Sequence, residues 1–179
     1  MHAHPATRRG KPMQHKAAPL AFVIALAFGF LALMSVPAHA ATNQLAGSAY
    51  LDPGGECSPP QAPYADYPAI VMTGSLEGCW YTNILSTRET PSGVYLETGE
   101  EVFVGSLNGG AEGSFTTTYR FESKWDPNVT TGSEVHGRCQ HPIVGGSGTG
   151  GLEGAKGRVD FKDIIETGDL LYRGRISLR

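Results

Sequence analysis

The chain has 179 residues, with 14 basic and 17 acidic side chains, a net charge of −3 and 40% hydrophobic residues. Four of the basic side chains and none of the acidic ones lie in residues 1–40, so the rest holds ten basic against 17 acidic side chains, a net charge of −7. Nucleic acids and anionic lipid surfaces attract basic proteins, and this balance argues against both as partners. The part after residue 40 is long enough for a single domain with one core.

Residues 1–40 have the pattern of a secretory signal peptide. A basic segment over 1–16 precedes an apolar stretch over 17–34 and the small-x-small site Ala38-His39-Ala40, at which such peptides are cleaved. The apolar stretch is just long enough to span a bilayer, but Pro37 and the cleavage site favour removal over retention as an anchor. We expect a secreted or periplasmic protein without a membrane segment after cleavage.

Residues 41–68 are rich in proline and glycine and are predicted to be an irregular lead-in, with the barrel domain described below spanning 69–179. The three cysteines, Cys57, Cys79 and Cys139, all follow the leader, so one disulfide is expected in an oxidising compartment. The sequence leaves the pairing open. Cys57–Cys79 is favoured because it would join the lead-in to the strands, and Cys139 is the alternative partner.

From residue 69 onward the chain shows the two-residue alternation of β-strands and no helical period. The clearest strand runs over 115–125, with Phe115, Tyr119 and Trp125 on one face and charged or polar residues on the other. The predicted strands cover residues 70–76, 79–86, 94–96, 102–107, 115–125, 134–141, 158–163 and 170–178. About eight antiparallel strands with one apolar face predict a closed β-barrel, which leaves no exposed sheet edge.

The last two strands form a hairpin around Thr167-Gly168, for which two registers remain open. One places Val159 opposite Ile176 and Lys162 opposite Arg173, a like-charge pair that is unfavourable. A bulge or a shift by two residues would remove that pair, and either register keeps the apolar faces together.

A glycine-rich segment over 145–157 enters this hairpin, with glycine at seven of thirteen positions. Such a composition suits a tight connection, and we interpret Gly148, Gly150, Gly154 and Gly157 as structural. The segment contains the spacing of a dinucleotide fingerprint but lacks the helix that must follow it, so no nucleotide or other cofactor is expected.

The segments Gly145-Gly146-Ser147-Gly148, Leu152 to Val159 and Tyr172-Arg173-Gly174 resemble the C-terminal signature of the allene oxide cyclase and dirigent barrels. Secreted bacterial proteins with the same ending are also similar. The resemblance covers about 45 residues and implies an eight-stranded antiparallel barrel with a ligand-sized interior, often in a homotrimer. The N-terminal half shows no match to the polar and acidic residues with which the plant cyclases handle their epoxide, so the resemblance carries the fold and not the catalysis.

Several side chains could line a pocket in such a barrel. Glu134, His136 and Arg138 share a strand face at spacing two, which fits a solvated outer face or a pocket mouth with His136 as proton carrier. Glu100 and Glu101 are adjacent, point to opposite faces and are interpreted as solvated. The aromatic residues fit either core or ligand cage. The candidates for a ligand pocket are Tyr81, Tyr119, Phe121, Trp125, His136, Arg138 and Tyr172.

Cys139 and His141 share a face, but no further ligands complete a tetrahedral set, and no metal site is expected. Three functions remain. The first is a module that binds a small apolar or amphipathic molecule, and the second is a cyclase-like or dirigent-like enzyme that steers a reactive intermediate by positioning. The third is a structural or interaction protein with a filled barrel. No catalytic motif decides whether the protein is an enzyme, and the interior volume discriminates among the three.

Overall fold

The computed structural model describes residues 41–178; the predicted signal peptide, residues 1–40, lies outside the described residues. The described chain is all-β. No helix in this part is both long and apolar enough to cross a membrane. The strands are β1 (Thr42–Leu51), β2 (Ile70–Gly74), β3 (Leu76–Glu89), β4 (Val94–Leu107), β5 (Gly113–Asp126), β6 (Ser133–Pro142), β7 (Thr149–Gly150), β8 (Lys156–Ile164) and β9 (Asp169–Ser177).

Eight of these strands form a closed antiparallel barrel, as the sequence predicts. The neighbours run in the order β4-β3-β2-β1-β9-β8-β6-β5, and pairing of β4 with β5 closes the ring. The two-residue β7 is an extra strand that pairs with the start of β5. Closure gives each barrel strand a partner on both sides and leaves no long unpaired edge.

Strand β1 corrects the prediction of an irregular lead-in. Residues 42–51 form a full strand between β2 and β9, so the barrel begins there and not at residue 69. Its inward face carries Leu45, Gly47 and Ala49, which give a weak apolar alternation. Glycine is needed at position 47 because a Cβ there would overlap the ring of Tyr172 and the Thr73 carbonyl oxygen. Neighbouring strands, rather than local propensity, therefore hold β1.

Residues 52–69, which we call the strap, are the irregular part of the predicted lead-in. The disulfide Cys57–Cys79, confirmed here, ties the strap to β3 and leaves Cys139 as a free thiol. Strand β2 pairs with β3 only as far as Trp80. Beyond that point Asp66 bonds to β3, since its backbone N–H donates to the Thr82 carbonyl at 3.2 Å and its carboxylate accepts from the Ile84 N–H at 2.6 Å. The strap thus covers an edge that β2 is too short to reach.

The closing hairpin adopts the register that is shifted by two residues. Val159 pairs with Gly174 and Lys162 with Leu171, so the like-charge pairing of Lys162 with Arg173 is avoided.

The core fills one end of the barrel and leaves the other end open. Trp80, Phe103 and Phe115 pack there with ring centroids 5.1–5.9 Å apart. The glycine-rich segment covers this end, because Leu152 and Ala155 are fully buried in the same core. The segment joins β6 to β8, as predicted, and lies away from the open end.

Candidate functional site

A cavity of about 620 Å³ occupies the open end of the barrel. Its mouth is formed by the strap, the connection between β5 and β6 and the turn between β8 and β9, and its walls carry mainly aromatic and aliphatic side chains. The lining residues are Leu51, Tyr67, Ile70, Trp80, Thr82, Glu97, Glu101, Tyr119, Phe121, Trp125, Gly132, Ser133, Glu134, Cys139, His141, Phe161, Asp163, Ile164, Ile165, Gly168 and Leu170. A volume of several hundred cubic ångströms is typical of small-molecule sites.

Glu97 is a carboxylate that is only 3% exposed and is held by three tyrosines. Tyr119 donates its hydroxyl to Oε1 at 2.7 Å, while Tyr67 and Tyr95 donate to Oε2 at 2.9 and 2.6 Å. Burial, together with the bond to Glu97, raises the pKa of Tyr95 to about 12 and raises the pKa of Tyr67 and Tyr119 as well. The three phenols therefore stay protonated donors, and Glu97 keeps one of roughly four acceptor positions free.

Glu101 lies four residues after Glu97 on the same inward face of β4 and contacts His141 of β6. Nε2 of His141 is 2.8 Å from Oε2 of Glu101, while Nδ1 is 3.2 Å from the Val159 carbonyl oxygen. Thr82 donates its hydroxyl to Oε1 of Glu101 at 2.9 Å. Oε2 is close to the imidazole, receives no aligned hydrogen bond and is buried beneath the cavity surface.

Two further carboxyl groups, those of Glu134 and Asp163, meet at the mouth above Gly137. A Cβ at Gly137 would overlap both of them, so only glycine leaves room for the pair. Burial is the main cause that raises the pKa of Glu134 to about 7, and the neighbouring Asp163 adds to it. Two carboxylates at close range cannot both ionise freely, and the pair holds a proton near neutral pH.

The thiol of Cys139 lines the cavity without the features of a nucleophile. Burial is the largest cause that raises its pKa, and the negative charge of Glu101 adds to the effect. A thiol that stays protonated is a poor nucleophile and a poor metal ligand. Within residues 41–178 no three histidine, cysteine or acidic side chains are arranged to hold a metal ion.

Trp80 contributes ring surface to the apolar floor of the cavity. Its side chain is fully buried, and its indole Nε1 has no hydrogen-bond partner in the described structure. An unpaired buried donor costs roughly 1–3 kcal/mol.

Three of the sequence-predicted pocket residues, Tyr119, Phe121 and Trp125, line the cavity. Tyr172 is a core residue instead, because its hydroxyl accepts from the Leu76 N–H at 2.8 Å. Tyr81 points outward, where its hydroxyl donates to the Ser58 carbonyl of the strap at 3.2 Å. Neither of these two contacts the cavity.

His136 and Arg138 lie on the outer face, which corrects the hypothesis of a pocket mouth around His136. Arg138 bonds to Glu122 at 3.2 Å, with the Arg138 side chain largely and the Glu122 side chain partly exposed. Glu134, His136 and Arg138 do not share one face as the spacing predicts. Lys124 pairs with His136 and Trp125 pairs with Glu134, so Val135 has no partner on β5 and forms a bulge. A bulge reverses the faces on either side of it, so Glu134 points inward and His136 outward.

The sequence interpretation missed Glu97, Glu101 and His141, and it wrongly took Glu101 as solvated. One signal was present: Glu97, Glu101 and Phe103 occupy the same face of one strand by two-residue alternation, and Phe103 is fully buried. Charged side chains at core positions are rare unless they are paired, and the sequence alone shows no partner for them.

No family model, curated protein or solved structure matches this chain. The cavity and the side chains that line it are therefore the guide to function. They provide an apolar volume, four carboxyl groups and one imidazole.

Proposed function

We propose that this barrel binds a small amphipathic molecule in its open end. The observation that carries the proposal is the cavity of about 620 Å³, whose aromatic walls surround a few buried polar groups. Binding sites for small molecules combine these two properties, since apolar walls supply affinity and polar groups fix orientation. A barrel filled throughout, as the structural alternative requires, would leave no such volume.

The polar groups argue for an amphipathic rather than a wholly apolar ligand. The carboxyl groups of Glu97, Glu101, Glu134 and Asp163 line the cavity beside its aromatic walls. A hydrocarbon would displace water from these groups without replacing its hydrogen bonds, whereas a molecule with a polar end can supply such bonds.

Both tryptophans of the chain, Trp80 and Trp125, line the cavity, so intrinsic fluorescence reports its occupancy. We expect native mass spectrometry of protein purified from its own host to show a bound small molecule. Adding that molecule back to stripped protein should change tryptophan fluorescence in a saturable way. Protein that carries no molecule and responds to no amphipathic compound would contradict the proposal.

A matched pair of variants tests the location. Phe121→Ala removes an aromatic wall and should weaken binding, whereas Tyr81→Phe alters an aromatic residue on the outer face of the same barrel and should not. Equal weakening by both variants would place the ligand elsewhere.

A cyclase-like or dirigent-like enzyme is the second candidate, and the buried Glu101–His141 pair favours it. These groups could exchange a proton with a bound molecule held at the cavity floor. Incubating the co-purified molecule or its precursors with the protein, followed by product analysis, separates the two functions. Turnover that disappears in His141→Gln would establish the enzyme.

The same proposal includes three further properties: a relationship to the allene oxide cyclase and dirigent barrels, assembly as a trimer, and export of the mature protein. The closed eight-stranded barrel and the disulfide Cys57–Cys79 support them. Light scattering of the purified protein tests the trimer, for which a mass of one chain would be the contrary result.

A further inference from the structure

The cavity is acidic, and this charge indicates the class of its ligand. Four carboxyl groups line it, those of Glu97, Glu101, Glu134 and Asp163, and the lining residues include no lysine and no arginine. His141 is the one side chain among them that can carry a positive charge.

The internal contacts neutralise only part of this charge. His141, whose Nε2 lies 2.8 Å from Oε2 of Glu101, can offset at most one of the four carboxyl groups. One proton shared between Glu134 and Asp163 leaves a single negative charge on that pair. Glu97 is stabilised by three hydroxyl donors, but hydroxyl groups are neutral and do not cancel its charge.

An uncompensated carboxylate in an enclosed apolar site is costly, because the low dielectric weakens its solvation. Glu97 is 3% and Glu101 5% exposed, and both line the cavity. A cation inside the cavity would repair the charge balance of these carboxylates.

The aromatic walls favour the same kind of ligand. Tyr67, Trp80, Tyr119, Phe121, Trp125 and Phe161 contribute ring surfaces to the cavity. The faces of aromatic rings attract organic cations, most strongly where water is excluded. A simple metal ion would leave most of the apolar volume empty, whereas an ammonium group on a hydrocarbon body uses both the carboxylates and the walls.

We infer that the ligand of this barrel is an organic cation, an amine or ammonium group attached to an apolar body, with its charged end near Glu97 and Glu101. This inference rests on the proposed function, because it names the chemical class of the molecule that occupies the same cavity. An anionic ligand such as a fatty acid would add a further negative charge to a site that already has an excess.

The test uses three probes that share one eight-carbon chain: octylammonium, octan-1-ol and octanoate. Each is titrated into the mature, disulfide-bonded protein at neutral pH and about 0.15 M salt, with tryptophan fluorescence as readout and calorimetry as confirmation. We expect octylammonium to bind at least about tenfold more tightly than the other two, the lower end of the range for close buried charge pairs.

Two variants locate the charge recognition, and a third is their control. Glu97→Gln and Glu101→Gln each remove one buried charge with little change of shape, and each should reduce the advantage of octylammonium over octan-1-ol about tenfold. Glu100→Gln removes a carboxylate from the same strand on the face that does not line the cavity, and it should leave the ratio unchanged. Thermal melting establishes that each variant is folded.

The outcomes separate the inference from the function on which it rests. Binding of octan-1-ol or octanoate as tight as that of octylammonium overturns the inference and leaves the proposed function standing. An advantage of octylammonium that persists equally in Glu97→Gln and Glu101→Gln also overturns it. If none of the three probes binds and no molecule co-purifies, the proposed function fails together with the inference. The comparison of probes uses the unmodified protein and does not depend on either variant folding.

Discussion

The hydroxyl of Tyr67 donates to Oε2 of Glu97 at 2.9 Å and so joins the strap to the interior of the barrel. The two residues are 30 positions apart, and both line the cavity. Together with the disulfide Cys57–Cys79, it fixes an irregular segment over a region of β3 that β2 does not cover. The strap is therefore part of the cavity wall.

Tyr67→Phe should destabilise the protein by about 1 kcal/mol, because it removes one donor from a buried carboxylate. The loss should appear as a lower midpoint of urea unfolding with an unchanged slope. Tyr64→Phe, on the same strap but outside the cavity lining, is the matched control and should have little effect. Equal stability of the Tyr67 and Tyr64 variants would show that the bond to Glu97 contributes nothing in solution.

The disulfide should stabilise the mature protein by roughly 3 kcal/mol, because it closes a loop with a sequence separation of 22 residues. Denaturant unfolding of the Cys57→Ser/Cys79→Ser double variant measures this contribution. Non-reducing peptide mapping of the unmodified protein should recover the Cys57–Cys79 pair. A mapped pair that contains Cys139, or three free thiols in protein from its native compartment, would contradict the connectivity.

The glycine-rich segment should tolerate alanine poorly at selected positions. Gly154 and Gly157 have φ values of +73° and +144°, and a Cβ at Gly148 would overlap the Leu152 carbonyl oxygen. Each substitution by alanine should destabilise by about 1 kcal/mol or more, which thermal or urea unfolding measures. Gly145→Ala is the control, because a Cβ there meets nothing within 4 Å.

The same three variants also test the structural role of the segment. Nucleotides or phosphate should not raise the Tm of the unmodified protein, since the segment packs Leu152 into the core and does not contact the cavity. Unchanged stability in all three variants, together with stabilisation by a nucleotide, would overturn this interpretation.

Glu134 should make stability depend on pH. Its pKa is raised to about 7 in the folded protein from an ordinary value of 4.5, so the folded state binds a proton that the unfolded state releases between these values. Stability should therefore fall as pH rises from about 4.5 to about 7 and level off above that range. Glu134→Gln keeps this side chain neutral at every pH. The Tm of the variant should therefore exceed that of the unmodified protein by an amount that grows as pH rises from about 4.5 to about 7.

Glu122→Gln serves as the control for this measurement, because Glu122 is partly exposed and pairs with Arg138 outside the cavity. A difference in Tm between Glu134→Gln and the unmodified protein that does not change between pH 4.5 and 7 would contradict the raised pKa.

Export predicts a processed N-terminus. Sequencing of the mature protein from its host should begin at Ala41 or within a few residues of it, since Ala38-His39-Ala40 has the form of a cleavage site. The structure describes residues from Ala41 onward, and β1 begins at Thr42, so cleavage there would leave the whole barrel intact. An exported protein that retains Met1 would contradict this prediction.

The sequence by itself determined the features that depend on local pattern. Two-residue alternation predicted most of the strands and the antiparallel barrel, and the position of Cys57 in the irregular segment favoured its pairing with Cys79, which the structure confirms. It also placed Tyr119, Phe121 and Trp125 on one inward face, because no irregularity interrupts β5 between them. Local rules succeed where each strand keeps its period.

Only the tertiary structure decided the chemistry of the cavity. The bulge at Val135 reverses the faces of β6, so Glu134 enters the cavity and His136 leaves it, and no local pattern marks that position. Glu97 and Glu101 are buried because tyrosines and a histidine from other parts of the chain supply their partners. The cost of burying a charge depends on contacts that are distant in sequence and exist only once the barrel has closed.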